Sequence, residues 1–249
     1  MSRTRLPHEW SPSPNYEPRK GKVPSILLLH YTGMESAQAA RAWLSDPRSR
    51  VSSHYLIDST GRIYQMVDES MRAWHAGVAM WKGESDINSS SIGIEIHNPG
   101  HTMGYPDFPE AQMEAVIGLC RDIVERHRIQ PQCVLAHSDV APARKADPGE
   151  KFDWAKLYAH GVGHWIEPAR IVNGPRLRVG DSGKDIKELQ SYLAGYGYGA
   201  DITGRFDPAT EATIRAFQRH FRPECVDGVA DASTVDTLRR LIAALPSGH

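Results

Sequence analysis

Apolar and polar residues follow two rhythms along this chain. Ser25-Ile-Leu-Leu-Leu-His30 is a continuous apolar run after a proline-rich stretch, the signature of a strand buried on both faces, and it ends on a histidine. Ser53 to Asp58 and Arg62 to Val67 are short runs rich in aromatic and β-branched residues flanking Ser59-Thr60-Gly61, which predicts a hairpin. Ile92, Ile94 and Ile96 alternate with Gly93, Glu95 and His97, predicting a strand with one apolar and one polar face. Met113, Val116, Ile117, Cys120, Ile123 and Val124 carry the spacing of an amphipathic helix with Pro109 close to its start. Cys133-Val-Leu-Ala136 is a further short apolar strand, and it too leads into a histidine, His137. Helical and strand patterns in alternation predict an α/β domain.

The pattern changes after Trp165, where Pro168, Asn173, Gly174 and Pro175 make a linker. Beyond it Gly204-x-x-Asp207-x-x-Thr210-x-x-x-Ile214 is echoed by Gly228-x-x-Asp231-x-x-Thr234-x-x-x-Leu238. Each aspartate sits where a helix N-cap belongs, and Pro208 takes the first helical position in the first copy. Stripes at Ile186, Leu189 and Leu193, at Ile214, Phe217 and Phe221, and at Val235, Leu238, Leu241 and Leu245 predict a small three-helix unit. The division expected is an N-terminal arm over 1–23, an α/β domain over 24–174 and a helical domain over 175–249.

Composition narrows the function. The 249 residues carry 29 basic and 30 acidic side chains and are 40% hydrophobic, an ordinary globular mixture that argues against nucleic-acid binding driven by bulk charge. The 3 cysteines, Cys120, Cys133 and Cys225, form no C-x-x-C pair and read as small core residues rather than a disulfide framework. No apolar run reaches the ~20 residues needed to span a bilayer or the ~7 to 15 of a signal peptide. A cytoplasmic location fits the chain as written, and a periplasmic one fits if its true N-terminus lies upstream.

Hydrolytic zinc needs three nitrogen or oxygen ligands, an open position for water and a base nearby. His30 and His137, each at a strand end, and Asp147 in the turn-forming Arg144-Lys-Ala-Asp-Pro-Gly149 are candidates. Spacing alone favours the other reading, two hydrogen-bonded core histidines and a turn aspartate. Glu95, a carboxylate among isoleucines, is a candidate base if desolvated, or a solvated strand residue if not. Lys145 is placed to face a developing oxyanion if Asp147 binds metal, and is otherwise a surface lysine.

Six ordered blocks carry a family resemblance: Leu28-Leu-His-Tyr-Thr32, Val51-Ser-Ser-His-Tyr55, Trp74-His-Ala-Gly77, Ser91-Ile-Gly-Ile-Glu-Ile96, Ala136-His-Ser-Asp139 and Arg144-Lys-Ala-Asp-Pro-Gly149. In these the chain resembles the zinc-dependent N-acetylmuramoyl-L-alanine amidases typified by bacteriophage T7 lysozyme and the bacterial AmpD and AmiD enzymes, most of all the AmiD branch. The stretch from Leu177 to Gln190, with Ala216-Phe-Gln218 and Asp227-Gly228, resembles the peptidoglycan-binding module often joined to them. The resemblance implies a central mixed β-sheet flanked by helices and one zinc ion held by His30, His137 and Asp147. It further implies zinc-bound water attacking the amide between the lactyl group of N-acetylmuramic acid and L-alanine, with Glu95 as general base and Lys145 on the oxyanion. Trp74 and His75 fall in one family block at the substrate side, where His75 either lines the groove or packs beside Trp74. His54 shares a family block without being a ligand, and His97 reads as a hydrogen-bonded strand histidine. The expected partners are peptidoglycan or muropeptide fragments, bound by a monomer. Two other readings share these motifs: a non-catalytic peptidoglycan receptor and a zinc peptidase acting within the stem peptide.

Overall fold

Residues 4–245 are described in a computed structural model. In chain order the strands are β1 (Glu9–Trp10), β2 (Tyr16–Pro18), β3 (Ile26–Tyr31), β4 (Tyr55–Ile57), β5 (Ile63–Gln65), β6 (Met71–Ala73), β7 (Ser91–Ile96), β8 (Val134–Ala136), β9 (Arg176–Leu177) and β10 (Ala230–Asp231). The helices are α1 (Ala37–Ser45), α2 (Ile87–Ser90), α3 (Glu110–His127), α4 (His137–Val140), α5 (Trp154–Ala159), α6 (Lys184–Tyr196), α7 (Pro208–Phe221) and α8 (Ala232–Ala243). Six strands form one sheet in the order β1-β5-β4-β7-β3-β8. β3 runs parallel to β7 and β8, while β4 is parallel to β7 and antiparallel to β5, so the sheet is mixed and the expected hairpin is present.

Strands covered on both faces must be apolar on both, and β3 is. Leu27, Leu29, Ile92, Ile94 and Ile96 are buried against Met113, Val116, Ile117, Cys120 and Ile123 of α3, the helix that the 3.6-residue spacing predicts. The opposite face is apolar at Ile26 and Leu28 and turns polar toward its edge. Register pairs Ile26 with Ser91, Leu28 with Gly93 and His30 with Glu95. Because side chains alternate across a strand, these partners project to one side together, with His30 and Glu95 at its edge.

Several expectations are refined by packing. β3 continues one residue past His30, since Tyr31 still pairs with Ile96, and His137 opens α4 rather than closing β8. The N-terminal stretch is woven into the fold: β1 pairs with β5, β2 with β6, and buried Arg19 donates to the carbonyls of Glu69 and Ser89 at 2.8 Å each. Of the three free cysteines only Cys120 is fully buried, whereas Cys133 and Cys225 are half-buried, so the small-core reading holds for one.

The C-terminal helices confirm the sequence echo at atomic detail. Asp207 caps α7 and Asp231 caps α8, each accepting from the threonine N–H three residues on at 2.8 Å. Buried Gln190 and Gln218 occupy matching places, their carbonyl oxygens accepting from Gly204 N–H and Gly228 N–H at 2.8 Å. This unit shares an apolar layer with the sheet, in which Ile26, Leu28, Trp81, Leu135 and Val140 meet Leu193, Tyr198, Phe217 and Phe221. No helix among the described residues is long and apolar enough to cross a membrane.

Candidate active site

The polar edge of the sheet opens into a cavity of about 300 Å³ lined by His30, Tyr31, Trp43, Trp74, His75, Glu95, His137, Lys145 and Asp147. Every site residue that the sequence nominated is therefore gathered in one place. β3 and β7 deliver His30 and Glu95 as register neighbours, α4 delivers His137, and the following loop returns Asp147, tied back by Ser138 N–H donating to the Asp147 carbonyl at 3.1 Å.

The hydrogen-bond network assigns a proton position to His75, His30 and His137. A carbonyl can only accept, so Ser91 Oγ–H donates to the Ile87 carbonyl (2.6 Å) and its oxygen accepts from His75 Nε2–H (3.3 Å). His75 Nδ1 is then the acceptor for His30 Nε2–H at 3.0 Å. His137 Nε2–H donates to the Ala76 carbonyl at 3.0 Å. Both histidines consequently present bare Nδ1 atoms, 2.9 Å from each other and 3.1 and 2.9 Å from Asp147 Oδ2. Three lone-pair donors face one another with no hydrogen between them, an arrangement relieved by a cation. Two imidazoles and one carboxylate are a donor set suited to zinc with a position left open.

The electrostatics agree. Burial, aided by the charge that His137 would carry, lowers His30 from 6.5 to about 4, so it is neutral near pH 7. Burial likewise holds His75 well below its ordinary range. For Asp147 burial pushes upward, but positive charge on the His137 and His30 side of the cluster outweighs it and holds the carboxyl below its ordinary range, a charge that a bound cation would supply between bare Nδ1 atoms. Glu95 moves the other way: burial, then the Asp147 charge, raise it well above the usual carboxylate range against the opposing pull of Lys145. Its Oε2 is buried without a hydrogen-bond partner. A desolvated carboxyl group beside a metal-type cluster is a candidate for proton transfer.

His75 serves a role that the sequence left open, since it touches both the cavity and His30. Its ring lies so close to β7 that a Cβ on Gly93 would come within 2.6 Å of His75 Nδ1. The Ser91–His75–His30 chain was not foreseen. Its only signal in the sequence is that Ser91 and Gly93 share the polar face with Glu95. His97 accepts or donates to Thr32 Oγ1 at 3.2 Å, away from the cluster, as its strand reading implied. His54 is fully buried, its Nδ1 accepting from Gly93 N–H at 3.0 Å.

Fold and site together are those of a hydrolase built on a mixed α/β sheet, with a His30–His137–Asp147 cluster that could hold a metal ion. Residues 20–150 match the N-acetylmuramoyl-L-alanine amidase model and residues 182–238 a peptidoglycan binding domain model. The chain is 38% identical to the N-acetylmuramoyl-L-alanine amidase AmiD of Escherichia coli, over 84% of this chain and 79% of that protein. It is 33% identical to Escherichia coli 1,6-anhydro-N-acetylmuramyl-L-alanine amidase AmpD over 59% of this chain and 87% of that protein. Its fold is similar to that of Escherichia coli AmiD in complex with anhydro-N-acetylmuramic acid-L-Ala-D-gamma-Glu-L-Lys, with a TM-score of 0.77, 35% identity and coverage of 92% and 91% of the two chains. It is also similar to AmpDh3 from Pseudomonas aeruginosa in complex with anhydromuramic pentapeptide, with a TM-score of 0.74, 30% identity and coverage of 94% and 96%. The chain belongs to the N-acetylmuramoyl-L-alanine amidase family.

Proposed function

We propose that this amidase hydrolyses the bond between the lactyl carbonyl of N-acetylmuramic acid and L-alanine, using zinc held by His30, His137 and Asp147. The observation that carries the reading is the convergence of two bare Nδ1 atoms and one carboxylate oxygen beside the partnerless Glu95 Oε2. Zinc in this set supplies a Lewis acid that makes water nucleophilic near neutral pH. Glu95 takes a proton from the attacking water as its oxygen bonds to the lactyl carbon, and returns that proton to the alanine nitrogen when the C–N bond breaks. Burial of Glu95 makes its carboxylate basic enough for the first step and its acid form persistent enough for the second. Lys145 faces the oxyanion across the cavity. His75 and Ser91 fix the His30 tautomer, and Trp74 lines the approach for substrate.

Residues 24–174 carry the hydrolysis in this reading, and 175–249 meet the polymer. Peptidoglycan or muropeptide fragments are the partners, and a monomer suffices because one chain supplies every group. The test compares wild type with Glu95→Ala on muropeptides and on intact sacculi, with zinc content measured on both. The expected result is free muramic-acid lactyl ends and intact stem peptides from wild type, and no release from a zinc-loaded Glu95→Ala. Shortened peptides would mean a peptidase. A zinc-loaded wild type that cleaves nothing would mean a receptor.

A further inference from the structure

Asp139 lies two residues past His137 and is fully buried, yet it belongs to no part of the cavity. A carboxylate buried without donors is strongly disfavoured, and Asp139 is supplied with three. Its Oδ2 accepts from Ala136 N–H at 2.8 Å, reaching back over His137 to the end of β8. Both other donors come from the C-terminal helical unit: Tyr198 O–H donates to Oδ1 at 2.8 Å, and His220 Nδ1–H donates to Oδ2 at 2.7 Å. His220 is itself held between Trp154, at a ring-centroid distance of 3.7 Å, and Phe221, at 3.9 Å. The same helix comes near the other end of this segment. Arg219 lies 3.8 Å from Glu150, three residues past Asp147.

The stretch that supplies two of the three metal-type ligands is thus held at its His137 end by Tyr198, just past α6, and by His220 of α7, while Arg219 stands near its far end, its Nε without a hydrogen bond. We infer that the C-terminal helical unit is part of the metal centre's support: Tyr198 and His220, through Asp139, set the position of His137. They are positioning residues, because neither reaches the cavity. The physical reason lies in α4, which has only one turn and too few internal hydrogen bonds to hold its own first residue. Without outside donors the Asp139 carboxylate would turn toward water and draw Ala136–His137 with it. Groups that orient metal ligands from behind commonly contribute 10–100-fold in metal affinity.

This inference rests on the zinc reading above, and its test separates the two. Zinc affinity of the full chain is measured by competition with a chromophoric chelator, with far-UV circular dichroism to confirm the fold, for wild type, Tyr198→Phe, the double variant Tyr198→Phe/His220→Phe, and Tyr198→Phe/His220→Gln. His220→Phe keeps an aromatic ring for Trp154 but removes the donor, whereas His220→Gln restores an N–H. The expected result is a loss of about tenfold or more in zinc affinity for the Phe/Phe variant, part of it recovered by Gln, with sedimentation on insoluble peptidoglycan unchanged. The control is Tyr196→Phe, which removes the Tyr196–His164 contact (3.0 Å) in the same interface without touching Asp139. Equal zinc affinity in wild type and the Phe/Phe variant overturns the inference. So does an equal loss in Tyr196→Phe, which would mean general loosening. A wild type that binds zinc but cleaves no muropeptide defeats the proposed function alone, and one that binds no zinc defeats both.

Discussion

The two faces of the central sheet are made by the same strands and serve opposite ends. On one face Leu29 and Ile94 press against α3, where each buried aliphatic side chain is worth about 1.5–3 kcal/mol. On the other, one residue along, His30 and Glu95 face a cavity, and Glu95 Oε2 is left without a partner. Desolvated, imperfectly paired groups cost stability, and they persist only where the surrounding structure holds them rigidly. The apolar face is what keeps β3 and β7 still enough for the polar face to hold lone pairs against one another.

The largest expected effect tests whether the polar face is catalytic without being structural. Glu95→Gln should lower kcat by about 10²–10⁴-fold with zinc content unchanged and the thermal midpoint equal or higher, because a buried carboxylate is removed. A variant that unfolds earlier would break the division between faces. Next, Ile94→Ala should cost about 2–5 kcal/mol in urea denaturation while the folded protein keeps its zinc affinity at 25 °C. Zinc loss in parallel with stability would show the two faces to be energetically coupled.

Gly93→Ala sharpens the comparison at a single atom. The new Cβ would displace the His75 ring that fixes His30, so zinc affinity should fall about tenfold in chelator competition, more than for Ser91→Ala, which removes only the outermost acceptor. Equal effects would mean that the tautomer chain, rather than the ring's seat, dominates.

The remaining effect is graded rather than stepwise and concerns pH. Burial, followed by the Arg19 charge, lowers His54 from 6.5 to about 3. Below about pH 6.5 the unfolded chain therefore binds a proton that the folded chain refuses until about pH 3, and stability falls across that window by up to about 1.4 kcal/mol per pH unit. His54→Gln should flatten the slope of unfolding free energy between pH 6.5 and 4.5, and an unchanged slope would assign it to other groups.

Legibility followed the range of the interactions. The α3 stripe, the β4–β5 hairpin, the capped echo at Asp207 and Asp231, and the six blocks around His30, Glu95 and Asp147 are local patterns, and each was readable along the chain. The short strands β1, β2 and β6 were not, since two or three residues carry no period and their pairing comes from partners 50 or so residues away. Asp139 looked like one more residue of a motif, and nothing near it in sequence announces Tyr198 or His220.

What the sequence by itself determined is therefore the set of elements, the residue types able to bind zinc and move a proton, and the family. Helix and strand periods, caps and motif spacings act over a few residues, so one chain suffices to read them. Only the tertiary structure decided that His30 and Glu95 are register neighbours, that Ser91 and His75 form a hydrogen-bonded chain to His30, and that Tyr198 and His220 of the helical unit reach Asp139, two residues past His137. Those relations depend on strand register and on contacts between residues as far as 81 positions apart, which no local pattern encodes.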